Sequence, residues 1–366
     1  EFFLINVFIS FDLLFFYFWF ESTLIPMFLI IIIWGNQSRK LNAGLYLLVY
    51  TLLFTVLFFF LILYIHSQIE TTNFFILLNF LVINKQYQIL FWVCFFLAFV
   101  VKLPLFPFHL WLPEAHVEAP TTGSIILAGL LLKLGYYGYV RFFLQMLPTI
   151  AETFNSFVIV LCVLGCVYGS FLALSQNDIK KIIAYSSVSH MSLCLLGIIS
   201  ANIYGLLGSF LLAIGHGFVS SGLFFLVGLL YDRYHTRIMD YYSGINIIFP
   251  FFSFFFFSFL ISNFGFPISI NFVAEFLILL SIGYLNIIIL YFLIFYSVLS
   301  VAYNLWLYVR VCHGTLPNNL ILNYYFFDVS KTEFLIILPL FFCNVFFCFL
   351  PNNLLNYIIP FFISVV

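Results

Sequence analysis

Apolar stretches of about twenty residues follow one another along nearly the whole chain, and this repetition limits the fold more than any single motif does. About twenty residues of helix cross the roughly 30 Å hydrocarbon core of a bilayer. Runs such as "VYTLLFTVLFFFLILYI" and "FVIVLCVLGCVYGSFLAL" contain no charged residue. A membrane β-barrel would instead show segments of about ten residues with alternating polarity, and the sequence has no such pattern. Only 7% of the residues are charged, against about 25% in a soluble domain. The chain therefore reads as an all-α polytopic membrane protein.

Polar breaks mark ten spans, near 11–34, 43–65, 88–111, 120–145, 153–175, 180–200, 203–230, 245–283, 285–311 and 333–356. Residues 1–10 are too few to cross and read as the tail of an earlier span. If the spans alternate, one side receives Arg39, Lys40, Lys180, Lys181, Arg233, Arg237, Arg310 and Lys331, and the other only Lys85 and Arg141. The basic side then faces the matrix or cytoplasm, and the C-terminus faces the opposite compartment. Lys102 and Lys133 fall inside spans. A net charge of −1 argues against a nucleic-acid partner.

The seven cysteines form no C-x-x-C pair and lie in or beside apolar runs, so they read as small packing residues. No iron–sulfur, haem or zinc spacing and no Gly-rich nucleotide loop is present, so no cofactor is expected in this chain. The 55 phenylalanines are best explained by codon usage in a T-rich genome, which points to an organellar gene.

Two spans are interrupted. The third contains "VVKLPLFPFHLWLPEAHVEAP", with a break expected near 103–108, and the eighth contains "SNFGFPISINFVAE", with a break near 262–270. Proline removes a backbone donor and strains the helix. Within a membrane such breaks survive only where protein buries them or where they line a wet cavity. Matched breaks in two halves are the mark of an inverted repeat with its working site at the breaks. This gives a first repeat over 1–145, shortened at its N-terminal end, a second over 152–312, and a C-terminal span and tail over 313–366.

Glu21, Lys102, Lys133 and Glu275 lie deep in spans. A charge at mid-bilayer costs about 2.5–3.5 kcal/mol on insertion scales, so such residues tend to mark proton or ion pathways. A purely structural ion pair is the competing reading for any one of them. His216, set between glycines in "LLAIGHGFVSSGLF", suits a relay, and His109 follows Lys102 by seven residues. His190 in "AYSSVSHMSL" reads as structural. Glu114, His116 and Glu118 fall at the basic-side edge, as a turn signature or a point of proton uptake. His235 belongs to a basic-side loop.

Together, "FESTLIP", "VKLPLFPFHLWLPEAHVEAPTTGSIILAGLLLKLGYYGYVRF", "QNDIKKIIAYSSVSHMSL", "GHGFVSSGLFFLVGLLYDRYHTR" and "NFVAEFLIL" resemble the antiporter-like subunit 4 family of respiratory complex I, NADH:ubiquinone oxidoreductase. The resemblance covers most of the chain in the same motif order. Members usually carry three or four further spans ahead of "FESTLIP". The resemblance implies an antiporter-like helical bundle in the mitochondrial inner membrane that pumps protons beside other membrane-arm subunits and lipids. NADH, flavin, iron–sulfur clusters and ubiquinone would bind to those other subunits. It implies that Glu21 tunes Lys102, that Lys133 is the central relay, and that His216 connects Lys133 to Glu275. Glu275 would discharge toward the intermembrane space, with basic loops toward the matrix. His109 and His235 match family histidines. A cation/proton antiporter subunit and a passive structural subunit are the alternative functions.

Overall fold

The computed structural model describes residues 1–35, 37–80, 85–315 and 328–363, without the side chains at 79, 80, 85–87, 361 and 363. The Lys85 side chain, counted above among the basic residues, therefore lies outside the described residues.

Every regular element among the described residues is a helix. In chain order these include α1 (Phe2–Ile9), α2 (Leu13–Ser22), α3 (Leu24–Trp34), α4 (Lys40–Ile69), α5 (Phe74–Phe80), α6 (Lys85–Lys102) and α7 (Trp111–Glu118). Next come α8 (Thr121–Met146), α9 (Pro148–Ser175), α10 (Ile179–Ile199), α11 (Ile203–Tyr234), α12 (Pro250–Asn263) and α13 (Ile270–Leu285). The last are α14 (Ile287–Cys312), α15 (Lys331–Phe349) and α16 (Asn352–Ile363). Among the described residues, eight helices are long and apolar enough to cross a membrane, counting Leu13–Trp34 as one. The other two expected spans are the interrupted ones, whose pieces include the shorter apolar helices Gln88–Lys102, Pro250–Asn263 and Ile270–Leu285.

The chain divides into two units: Glu1–Gly123 with Leu130–Leu161, and Ser124–Gly129 with the residues from Cys162 onward. In the first, α4 packs on α6 and α7, and much of the core is phenylalanine. Phe58 meets Phe95 at 4.9 Å and Phe99 at 5.6 Å between ring centroids. Tilted and edge-on rings at such distances add attraction beyond area burial.

The second unit is built around α10, along which only Lys181 and Tyr185 are not fully buried. A helix apolar all round belongs inside a bundle. Its serines do not contradict this, because Ser186, Ser187, Ser189 and Ser192 each donate to a carbonyl three or four residues back. Lipid cannot solvate a hydroxyl, so the helix satisfies its own. By contrast, α15 buries only Ile337 and Asn344.

Candidate functional sites at two helix breaks

The first break follows from proline chemistry. Pro104 has no N–H to give the carbonyl of Val100, and the Leu105 amide serves it instead at 3.2 Å. The Val101 carbonyl is thereby freed, and the indole N–H of Trp111 donates to it at 3.0 Å in a buried setting. The chain reenters a helix at Trp111, the expected end of this span, and α7 is buried along its length apart from Glu114, which is partly buried. His116 and Glu118 are therefore buried side chains.

Lys102 is the last residue of α6 and is 3% exposed. Its ammonium lies 4.5 Å from the centroid of the Phe20 ring, a cation–π contact that stabilises a charge without neutralising it. Glu21, the next residue along α2, interacts electrostatically with Lys102. No hydrogen bond joins the Glu21 carboxylate to the Lys102 ammonium. The two thus sense each other's charge without forming a hydrogen-bonded pair. His109 is buried, with its ring 5.8 Å from Phe106.

Lys133 lies in α8 between two π-helical turns, Leu127–Leu131 and Tyr139–Phe143. Such turns concentrate at functional positions in helices. Gly135, two residues on, brings α8 close to the first break: a Cβ there would lie 3.0 Å from both the Phe99 carbonyl and the Lys102 Cβ. Lys133 is partly buried.

The second break lies between α12 and α13. Gly265 adopts a φ of +70°, and a Cβ at that position would lie 2.5 Å from Oε2 of Glu275. Glycine serves here both the turn and the approach of the carboxylate. The Ser262 carbonyl accepts from the Gly265 amide within the turn at 3.3 Å and from the Asn271 side-chain amide at 3.0 Å. Asn271 is one turn before Glu275, on the same face of α13.

Glu275 is 9% exposed, and its Oε1 is 3.6 Å from Nδ1 of His190. The hydroxyl of Tyr296 is 3.3 Å from the same nitrogen, and the His216 ring centroid is 5.6 Å from that of His190. His190, which reads from the sequence as structural, lies beside both His216 and Glu275. The available signal was its depth: it falls near the middle of a span, as His216 does. The hydroxyl of Tyr303 is also buried, beside Ser189 and Asn304.

His235 lies apart from all of these. It is exposed, closes α11 in a left-handed conformation with φ 54°, and has its ring 6.1 Å from Tyr231. Among the described residues, no group of three or more His, Cys, Asp and Glu side chains is placed to hold a metal ion.

Residues 10–300 match the family model described as NADH:quinone oxidoreductase/Mrp antiporter, transmembrane. The NADH-ubiquinone oxidoreductase chain 4 of Chondrus crispus is 46% identical over 97% of this chain, which spans 72% of that relative's length. A chain in the structure of respiratory complex I from Thermus thermophilus with bound NADH superposes with a TM-score of 0.88 at 26% identity, covering 98% of this chain and 76% of that one. A chain of the Mrp complex from Dietzia reaches 0.84 at 18% identity over 96% and 74%, a likeness of fold.

Proposed function

This chain belongs to the NADH:quinone oxidoreductase/Mrp antiporter transmembrane family, and from that premise we propose that it is a proton-translocating membrane-arm subunit of respiratory complex I. Identity to the chain 4 relative favours this over a separate cation/proton antiporter. The observation that carries the reading is the placement of ionisable side chains at both helix breaks, Lys102 at one and Glu275 with His190 at the other. Structural helix contacts do not require titratable groups buried beside opened backbone.

In this reading Glu21 tunes Lys102, and Lys102, Lys133, His216 and Glu275 pass protons in that order, with His190 added beside Glu275 and His109 near the first break. His235, exposed on a turn, takes no step. The residues divide between the repeats 1–145 and 152–312. Quinone reduction in neighbouring subunits would change the charge felt at Glu21, which then shifts the proton affinity of Lys102 through space. At the second break the two partners of His190 Nδ1 suggest how a proton is handed on. A neutral Nδ1 accepts from the Tyr296 hydroxyl, whereas a protonated one donates toward Glu275.

The energies are compatible. A unit charge crossing 100 mV costs about 2.3 kcal/mol, and one unit of pKa change is about 1.4 kcal/mol. Shifts of a few units therefore suffice. The chain needs no redox centre of its own for this role. Its location is the mitochondrial inner membrane, with basic loops toward the matrix and the C-terminus toward the intermembrane space. The test is Lys133→Met in the assembled complex, which should abolish proton-linked NADH:ubiquinone turnover while NADH:ferricyanide activity persists. Wild-type proton stoichiometry in that variant would refute the relay.

A further inference from the structure

The terminal span α15 is apolar from Phe334 to Leu350 except for Asn344 and two cysteines, and most of its surface faces outward. Asn344 nevertheless is 0% exposed. Its side-chain amide donates to the Ser262 hydroxyl at 2.7 Å, and that hydroxyl donates to the Ser258 carbonyl at 2.7 Å. Ser262 is also the residue whose carbonyl accepts from Asn271, one turn from Glu275. Two side-chain amides from different helices therefore converge on one residue at the second break.

Each amide donates one N–H there, and both keep a buried carbonyl oxygen. Oδ1 of Asn344 and Oδ1 of Asn271 have no hydrogen-bond donor. A helix-gluing role accounts for the N–H group of Asn344. It does not account for a fully buried acceptor left over, which is costly in a medium of low polarity. An acceptor of this kind suits a water molecule held by a few polar groups. One turn beyond Asn344, the Cys348 thiol lies 3.7 Å from the Pro267 carbonyl in the break itself. Polar groups thus run from Asn271 through Ser262 and Asn344 to Cys348, toward the end of α15 remote from its basic start at Lys331.

Resting on the relay reading above, we propose that protons released by Glu275 leave the subunit along α15, through a hydrated step held by Asn344. The Glu275 carboxyl gives its proton to water and becomes a carboxylate, which His190 recharges. The Asn344 carbonyl oxygen accepts a hydrogen bond from the departing water and is itself never protonated. Asn344 is thus a positioning residue for the exit.

The experiment compares Asn344→Leu, Asn344→Ser and Glu275→Gln in the assembled complex, with turnover normalised to NADH:ferricyanide activity. Asn344→Leu should lower NADH:ubiquinone turnover about tenfold and enlarge its solvent deuterium isotope effect, and Asn344→Ser should restore much of both. A residue that only glues helices would change the amount of complex but not the isotope effect, and that result overturns the exit. A slowed Glu275→Gln beside a normal Asn344→Leu overturns the exit and leaves the relay standing. A normal Glu275→Gln overturns the relay itself. If Asn344→Leu fails to assemble, a high-resolution map of the native complex decides: ordered water on Asn344 Oδ1 supports the exit, and a dry contact refutes it.

Discussion

The two helix breaks solve the same backbone problem with different chemistry. At the first, the charged residue comes before the break, and the freed Val101 carbonyl is served by an indole N–H. At the second, the charged residue follows the break, and the Ser262 carbonyl is shared by the Gly265 amide and a carboxamide. Lys102 rests on an aromatic face and senses Glu21 across a gap. Glu275 has an imidazole 3.6 Å away. In the proposed relay the first site is tuned through space, as a group that responds to distant charge should be. The second touches another titratable group, as a group that passes a proton on should.

The sharpest way to break this contrast is at Gly265. Gly265→Val forces a β-branched residue into a left-handed conformation and drives its Cβ into the Glu275 carboxylate. It should eliminate the active complex, read as loss of both assembly and turnover. A functional Gly265→Val complex would show that the close approach of carboxylate and turn is dispensable.

Next in size is Lys102. Lys102→Met should lower turnover at least about a hundredfold, the scale of a lost acid–base group. Lys102→Arg should recover little, because a guanidinium keeps its charge and cannot release a proton. Equal activity in Lys102→Arg and wild type would mean that only fixed charge matters at the first break.

His190→Phe comes third, with an expected loss of about tenfold in turnover measured at matched assembly. An unchanged rate would return His190 to a packing role. The smallest effect belongs to Trp111→Phe, which removes one buried hydrogen bond and should cost about 1–3 kcal/mol of stability with turnover per assembled complex retained. A thermal-melting series of the purified complex checks it, and a collapse of turnover would make the first break's backbone repair part of the chemistry.

The breaks were legible in the sequence because proline and glycine act locally: Pro104 must orphan the Val100 carbonyl wherever the helix lies. Lys102, Lys133 and Glu275 were legible because charge is conspicuous in an apolar run. Neighbours across helices were not. His190 sits in a serine-rich stretch whose hydroxyls bond to their own helix, so nothing local shows that its ring reaches Tyr296 on another. Asn344 is a single amide in an apolar span, and only packing shows that it faces inward. The π-helical turns around Lys133 have no spacing signature at all. The absence of a hydrogen bond between Glu21 and Lys102 is likewise a matter of geometry that opposite charges cannot announce.

The central claim is that Glu275 gains and loses a proton during turnover. Redox-triggered infrared difference spectroscopy of the assembled complex reads this at the carboxyl C=O stretch. The account predicts a carboxyl band that changes when NADH is supplied and vanishes in Glu275→Gln. Identical difference spectra for the wild type and Glu275→Gln would contradict it.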